Sequence, residues 1–211
     1  MAGRGSVRVL RQRGPAFLME RVVPVGASLA RMALAGREDA ATRVLCDAVG
    51  HVAARRKQLM AATGLSDWRG RTKAIHATAA RPEGSWLRRA SDALREVESD
   101  RSGWRPIHAD IHHGNVLHDR ERGWLMIDPK GMIGPPEADI ANILTNPFPH
   151  AAHVLRPARL LRQADVIAEH RGMTRDAVLR WTWLHASCAS CWDDSGPYWR
   201  RVADAADRLR R

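Results

Sequence analysis

The spacing of apolar positions changes character along the chain, and each change predicts a different element. Residues 6–11 alternate in part, with Val7 and Val9 set against Arg8 and Leu10. Gly14-Pro15 breaks the run and residues 17–23 resume it, so two short strands around a turn are expected. A pair of strands makes only a marginal sheet, and neighbouring strands are expected beside it. From Ser28 the period becomes helical. Leu29, Met32 and Ala33 predict a short helix broken at Gly36, and residues 40–60 predict a long one with Val44, Leu45, Ala48, Val49 and Val52 on one stripe. Ser66-Asp67-Trp68 reads as the cap of a helix reaching Ala79, and Gly84-Ser85-Trp86 opens another that ends near Ser99. After a loop at 101–104, extended stretches are expected around Ile107, at 116–117 and at 124–127, the last two joined by a hairpin loop at 119–123. Beyond Pro135-Pro136 the helical period returns over 138–144, 156–170, 175–192 and 198–210.

Composition narrows the class. With 45% hydrophobic and 27% charged residues the chain is a globular protein, and 211 residues suffice for one domain, or for one large lobe with part of another. No run approaches the roughly 18 apolar residues of a membrane span, and the start Met1-Ala2-Gly3-Arg4-Gly5 lacks a signal-peptide core. A cytoplasmic protein without a membrane partner is expected. Three cysteines, Cys46, Cys188 and Cys191, are too few for a disulfide framework. The formal charge of +11 raises nucleic acid as a partner. The basic residues are scattered, however, and no stacked aromatics lie between them, so no specific nucleic-acid partner is expected.

The chemistry concentrates in His108-Ala109-Asp110-Ile111-His112-His113-Gly114-Asn115 and in Ile127-Asp128-Pro129-Lys130-Gly131. Asp110 stands five positions before Asn115, and Asp128 closes a short apolar run. Phosphoryl transfer needs a carboxylate beside the attacking hydroxyl and oxygen ligands for magnesium, which Asp110, Asn115 and Asp128 can supply in that order. His108 is expected to orient the loop through a backbone carbonyl. His112, His113 and His118 raise a transition-metal site as an alternative, but adjacent histidines diverge in an extended segment, and amide and carboxylate oxygens favour magnesium.

These motifs, together with Asp139-Ile140-Ala141-Asn142, resemble the aminoglycoside phosphotransferases, and within them the streptomycin 6-kinase group also linked to hydroxyurea resistance. The resemblance is specific over residues 108–147 and loose elsewhere. It implies an α+β, protein-kinase-like fold, with residues 1–23 as the remnant of a small-lobe sheet and hinge and 24–211 as a helical large lobe. It also implies use of ATP and Mg2+ and a small-molecule aminoglycoside as acceptor. Asp110 would then take or orient the hydroxyl proton, and Asn115 and Asp128 would hold magnesium. Asp139 would accept amides of the catalytic loop, and the main chain of Glu20, Arg21 and Val22 would meet the adenine.

Ala109 stands where this family usually has glycine, and little consequence is expected. Because aminoglycosides are polycations, Asp193 and Asp194 are candidates for acceptor binding. Only about 20 residues precede Glu20; Gly3-Arg4-Gly5-Ser6 does not make a phosphate loop, and the nearest lysine, Lys57, comes well after the hinge. The chain is therefore expected to turn over poorly by itself. The alternatives to an active kinase are a catalytically inactive remnant and a basic nucleic-acid-binding protein.

Overall fold

The computed structural model describes residues 5–14, 16–23, 28–55, 59–60 and 64–210. Gly3, Arg4, Pro15 and Lys57 lie outside the described residues. The chain is α+β, as its periodicity implies. A hairpin of β1 (Val9–Arg13) and β2 (Ala16–Met19) leads into α1 (Leu29–Leu34) and α2 (Glu38–Ala54). β3 (Ser66–Asp67), α3 (Arg69–Ala79), a 3-10 turn at Pro82–Leu87 and α4 (Arg88–Ser99) follow. Then come β4 (Arg105–Ile107), the hairpin β5 (Val116–Asp119) and β6 (Gly123–Met126), and β7 (Met132–Gly134). The chain finishes with α5 (Ala151–Val154), α6 (Pro157–Arg171), α7 (Arg175–Ala189) and α8 (Gly196–Leu209).

Two apolar clusters hold the helical part together. The first is rich in tryptophan: Trp68, Trp104, Trp181 and Trp183 pack with Ile75, Leu87, Leu94 and Val202 between α3, α4, α7 and α8. The second joins α2 and α6 to the chemistry-bearing segment, through Leu45, Val49, Leu160 and Ile167 against Ile111, Val116, Ile140 and Leu144. Apolar residues at helical spacing thus support the loop from below. The N-terminal segment joins through a smaller cluster of Val7, Val22 and Leu125, and through backbone bonds between Val7 and Met126 and between Met126 and Gly5.

Two departures from the periodicity are instructive. Asp67 Oδ1 accepts the amide of Arg69 at 2.9 Å at the start of α3, whose N-cap is Trp68, yet Ser66 and Asp67 also form a strand parallel to Met132 and Ile133. Two-residue strands leave no period to read. The approach is close: a Cβ on Gly134 would stand 2.7 Å from the Cβ of Trp68. The second departure is the helix expected over 138–144, which is a 3-10 turn at Pro136–Asp139 followed by turns. Side chains compete for its backbone. The Thr145 hydroxyl and the Asn146 amide both donate to the Asn142 carbonyl, at 2.9 and 3.0 Å.

Candidate active site

The loop between β4 and β5 is held by buried hydrogen bonds rather than by regular structure. Asp139 is 2% exposed, and its two oxygens accept the amides of His108 at 3.0 Å and Ala109 at 2.6 Å. Burial pushes its pKa up to about 6, against the pull of those two amides. Ala109 needs this grip. It has φ 64°, a left-handed conformation that a methyl group disfavours by roughly 1–2 kcal/mol. The methyl at this position therefore strains the backbone, and the buried Asp139 carboxylate holds it there. His108 faces Ile127 with Nε2 3.0 Å from the carbonyl oxygen, tying the loop to the strand that ends before Asp128.

Asp110 sits at the convergence of several donors. Its Oδ1 accepts from Asn142 Nδ2 at 3.1 Å, and its Oδ2 accepts from Asn115 Nδ2 at 3.3 Å. Asn115 Nδ2 also donates to the Asp110 carbonyl at 2.9 Å. With both of these bonds made by the amide nitrogen, the Asn115 Oδ1 is left as the atom available to a cation. His112 stands behind the pair: Nδ1 accepts the Gly114 amide at 3.0 Å, which puts the proton of the neutral ring on Nε2, 3.9 Å from Asp110 Oδ1. His113 is 4% exposed, and neither ring nitrogen has a hydrogen-bond partner among the described residues. His118 lies edge-on to Trp124.

Asp128 has φ 56°, and its side chain is 59% exposed at the rim of the site. Its Oδ2 takes the Lys130 ammonium at 2.7 Å, and the same ammonium reaches Asp110 Oδ2 at 3.2 Å. Asp110, Asn115, Asp128, His108 and Asp139 therefore share one site. Sequence reasoning missed Lys130 and Asn142, although both stand inside motifs it singled out. It also missed the buried Glu38–Arg159 pair, in which Arg159 donates to the carbonyls of Leu144 and Asn146 at 2.5 and 2.6 Å and so fixes the segment carrying Asn142.

Two cavities flank the loop. One, of about 270 Å³, lies between the N-terminal hairpin and His108, lined by Val7, Val9, Phe17, Met19, Met126 and Pro129. Glu20 follows the lining residue Met19, and its carboxylate accepts from Arg122, in the turn between β5 and β6, at 2.6 Å and from the Arg8 amide at 2.7 Å. Arg21 is exposed and Val22 is buried against Leu125. The other cavity is small and touches Ala109; Trp68, Arg71, Trp181, His185 and Trp192 line it. The Arg71 guanidinium lies 4.1 Å from the Trp192 ring centroid, and Trp192 Nε1 donates to the Arg71 carbonyl at 3.1 Å. Asp193 and Asp194 are exposed and outside this cavity. Asp193 accepts the Ser195 amide and borders a separate cleft with Thr78, Trp86 and Cys191.

The sequence model of a family described as aminoglycoside/hydroxyurea antibiotic resistance kinase matches residues 1–196. A streptomycin 3''-kinase of Klebsiella pneumoniae is 35% identical over 197 residues, covering 90% of this chain and 71% of its own. A hydroxyurea phosphotransferase of Kitasatospora aureofaciens is 30% identical over 190 residues, 85% of this chain; the chain spans about half of that relative, 52%. Among solved structures, a spectinomycin phosphotransferase in complex with ADP and spectinomycin aligns with 99% of this chain and 78% of its own, at 12% identity and a TM-score of 0.41.

Proposed function

The chain belongs to the aminoglycoside/hydroxyurea antibiotic resistance kinase family, and we propose that it moves the terminal phosphoryl group of ATP to a hydroxyl of an aminoglycoside, with streptomycin as the first acceptor. The observation that carries this reading is the setting of Asp110, whose carboxylate is held by Asn115 and Asn142 and backed by His112. A bond forms from the acceptor oxygen to phosphorus while the bond from phosphorus to the ADP oxygen breaks. Asp110 orients the acceptor hydroxyl and receives its proton. Positioning of this kind carries most of the catalysis in phosphoryl transfer.

The donor set fits magnesium. Asn115 Oδ1 and the exposed Asp128 carboxylate are hard oxygen donors, and a cationic group, the Lys130 ammonium, already stands against Asp128. Bound there with the nucleotide phosphates, magnesium would offset their charge. The 270 Å³ cavity offers apolar walls to the adenine, and its lining includes Met19, the residue directly before the hinge candidates Glu20, Arg21 and Val22. Residues 1–23 would then be the remnant of a small-lobe sheet and hinge, and 24–211 the helical large lobe.

The acceptor would enter on the tryptophan side. Aromatic faces attract guanidinium groups, and Arg71 over Trp192 displays that geometry. This favours ring faces over Asp193 and Asp194 for receiving streptomycin. A second reading rests on the same arginine: a half-buried cation near Asp110 disfavours a polycation and favours a small uncharged acceptor of the hydroxyurea kind. Acceptor-dependent ADP release, followed with micromolar protein over hours, separates the two. Release with streptomycin, and a phosphorylated product by mass spectrometry, supports the first. Release with hydroxyurea alone supports the second, and release with neither overturns both.

A further inference from the structure

Lys130 enters the reading above only as a cation beside Asp128, yet among the described residues its ammonium reaches both Asp110 and Asp128. Its ammonium lies 2.7 Å from Asp128 Oδ2 and 3.2 Å from Asp110 Oδ2, spanning the gap between the carboxylate proposed to orient the acceptor and the one proposed to hold magnesium. The backbone fixes its base: the Lys130 amide donates to the His108 carbonyl at 2.9 Å, so the lysine is fastened to the catalytic loop itself. Its side chain is 36% exposed, which leaves the four-carbon stem room to turn.

Residue usage adds a second argument. The chain has 34 basic residues, of which only Lys57, Lys73 and Lys130 are lysine, leaving 34 − 3 = 31 arginines. If any fixed cation would serve between two carboxylates, arginine is the choice this composition predicts. Arginine would also hold them better, because its planar fork pairs with a carboxylate in two parallel bonds. A lysine makes a looser, point-charge contact that can exchange one oxyanion for another, and it is a common phosphate ligand.

Resting on the proposed phosphotransfer, we propose that Lys130 is the residue that contacts the transferred phosphoryl group: it bridges Asp110 and Asp128 in the free protein, and turns to the terminal phosphate of ATP once a divalent cation takes Asp128. The ammonium gives up no proton in this exchange. It replaces its bond to the Asp128 carboxylate with one to a phosphate oxygen, and keeps Asp110 within reach. The position suits the purpose, since a phosphoryl group passing from nucleotide to acceptor must cross the space between these two carboxylates.

The test is binding, and needs no acceptor. Titrations of Mg-ATP and Mg-ADP into the unsubstituted chain, Lys130→Met and Lys130→Arg are compared by calorimetry or by NMR at millimolar nucleotide, with circular dichroism reporting the fold. A charge-assisted bond to the terminal phosphate predicts that Lys130→Met weakens ATP by about 10- to 100-fold while ADP, which lacks that phosphate, binds as before. Lys130→Arg should recover part of the loss. Equal ATP and ADP affinities in Lys130→Met and the unsubstituted chain, or tighter binding of both by the variant, would overturn the assignment of Lys130 and leave the proposed function standing. Absence of any ATP binding by the unsubstituted chain would remove the proposed function as well.

Discussion

The loop that carries Asp110 and the hairpin that lies across the cavity from it are built on opposite terms. Ile111 is fully buried, Asp139 is 2% exposed, and polar groups of the loop are tied to side chains from distant positions. In β1 and β2 every residue is exposed, with Leu10 and Leu18 each at 60%. The hairpin is secured at its roots, by the pairing of Glu20 with Arg122 and by the small cluster around Leu125. The loop can hold a left-handed alanine because its surroundings over-determine it. The hairpin keeps its shape through local pairing and supplies a wall without a core. Geometry that must be right to fractions of an ångström is placed where the packing is, and a covering element is placed where little would resist its movement.

The largest effect expected from breaking this contrast is on the loop side. Asp110→Asn keeps the shape but cannot take a proton, and general-base assistance is worth about 100- to 10,000-fold. ADP release should fall by that order while nucleotide binding persists; turnover near the unsubstituted level would show that Asp110 is not the base. Next is Asp139→Ala, which strands two buried amides and removes the grip on Ala109. At roughly 1–3 kcal/mol per unpaired group, a loss of about 3 kcal/mol in urea denaturation is expected. A variant as stable as the parent would mean that water replaces the carboxylate.

A smaller effect distinguishes the interior by pH. Burial, with a contribution from Arg159, holds His113 down at about 3, against an ordinary value of 6.5. The unfolded chain then takes up a proton that the folded one refuses, so this contribution is intact above pH 6.5 and is lost as pH falls from there toward 3. Asp139 works in the opposite sense. Raised from 3.8 to about 6, it lets the folded state hold a proton that the unfolded state releases, so its contribution falls as pH rises across that window. His113→Leu isolates the histidine's contribution: the stability difference between parent and variant should move in the variant's favour by about 2 kcal/mol between pH 7 and pH 5. A pH-independent difference would place His113 in contact with water. Least of all, Leu10→Ser with Leu18→Ser on the hairpin should leave stability within about 0.5 kcal/mol. A large loss there would mean that the hairpin is covered in solution.

Much of this was legible in the chain. The period of apolar residues identifies the helices around α2, α6, α7 and α8, because a helix buries one stripe wherever it packs. The Asp110–Asn115 spacing and the later Asp128 mark the candidate site, because a short loop and one short hairpin suffice to bring those side chains to one edge. What stayed hidden depends on partners far apart in sequence. Strand β3 is two residues long and exists only because Met132 and Ile133 lie beside it. The turn at 136–146 has a helical pattern but spends its polar side chains on its own carbonyls and on Asp110. That Asp193 and Asp194 lie exposed outside the cavity that touches Ala109, and that Lys130 reaches both carboxylates, follow from directions that one-dimensional spacing does not encode. Periodicity determines which face of an element is buried; only the packed chain decides which charged group, free to swing on a flexible stem, ends beside which other.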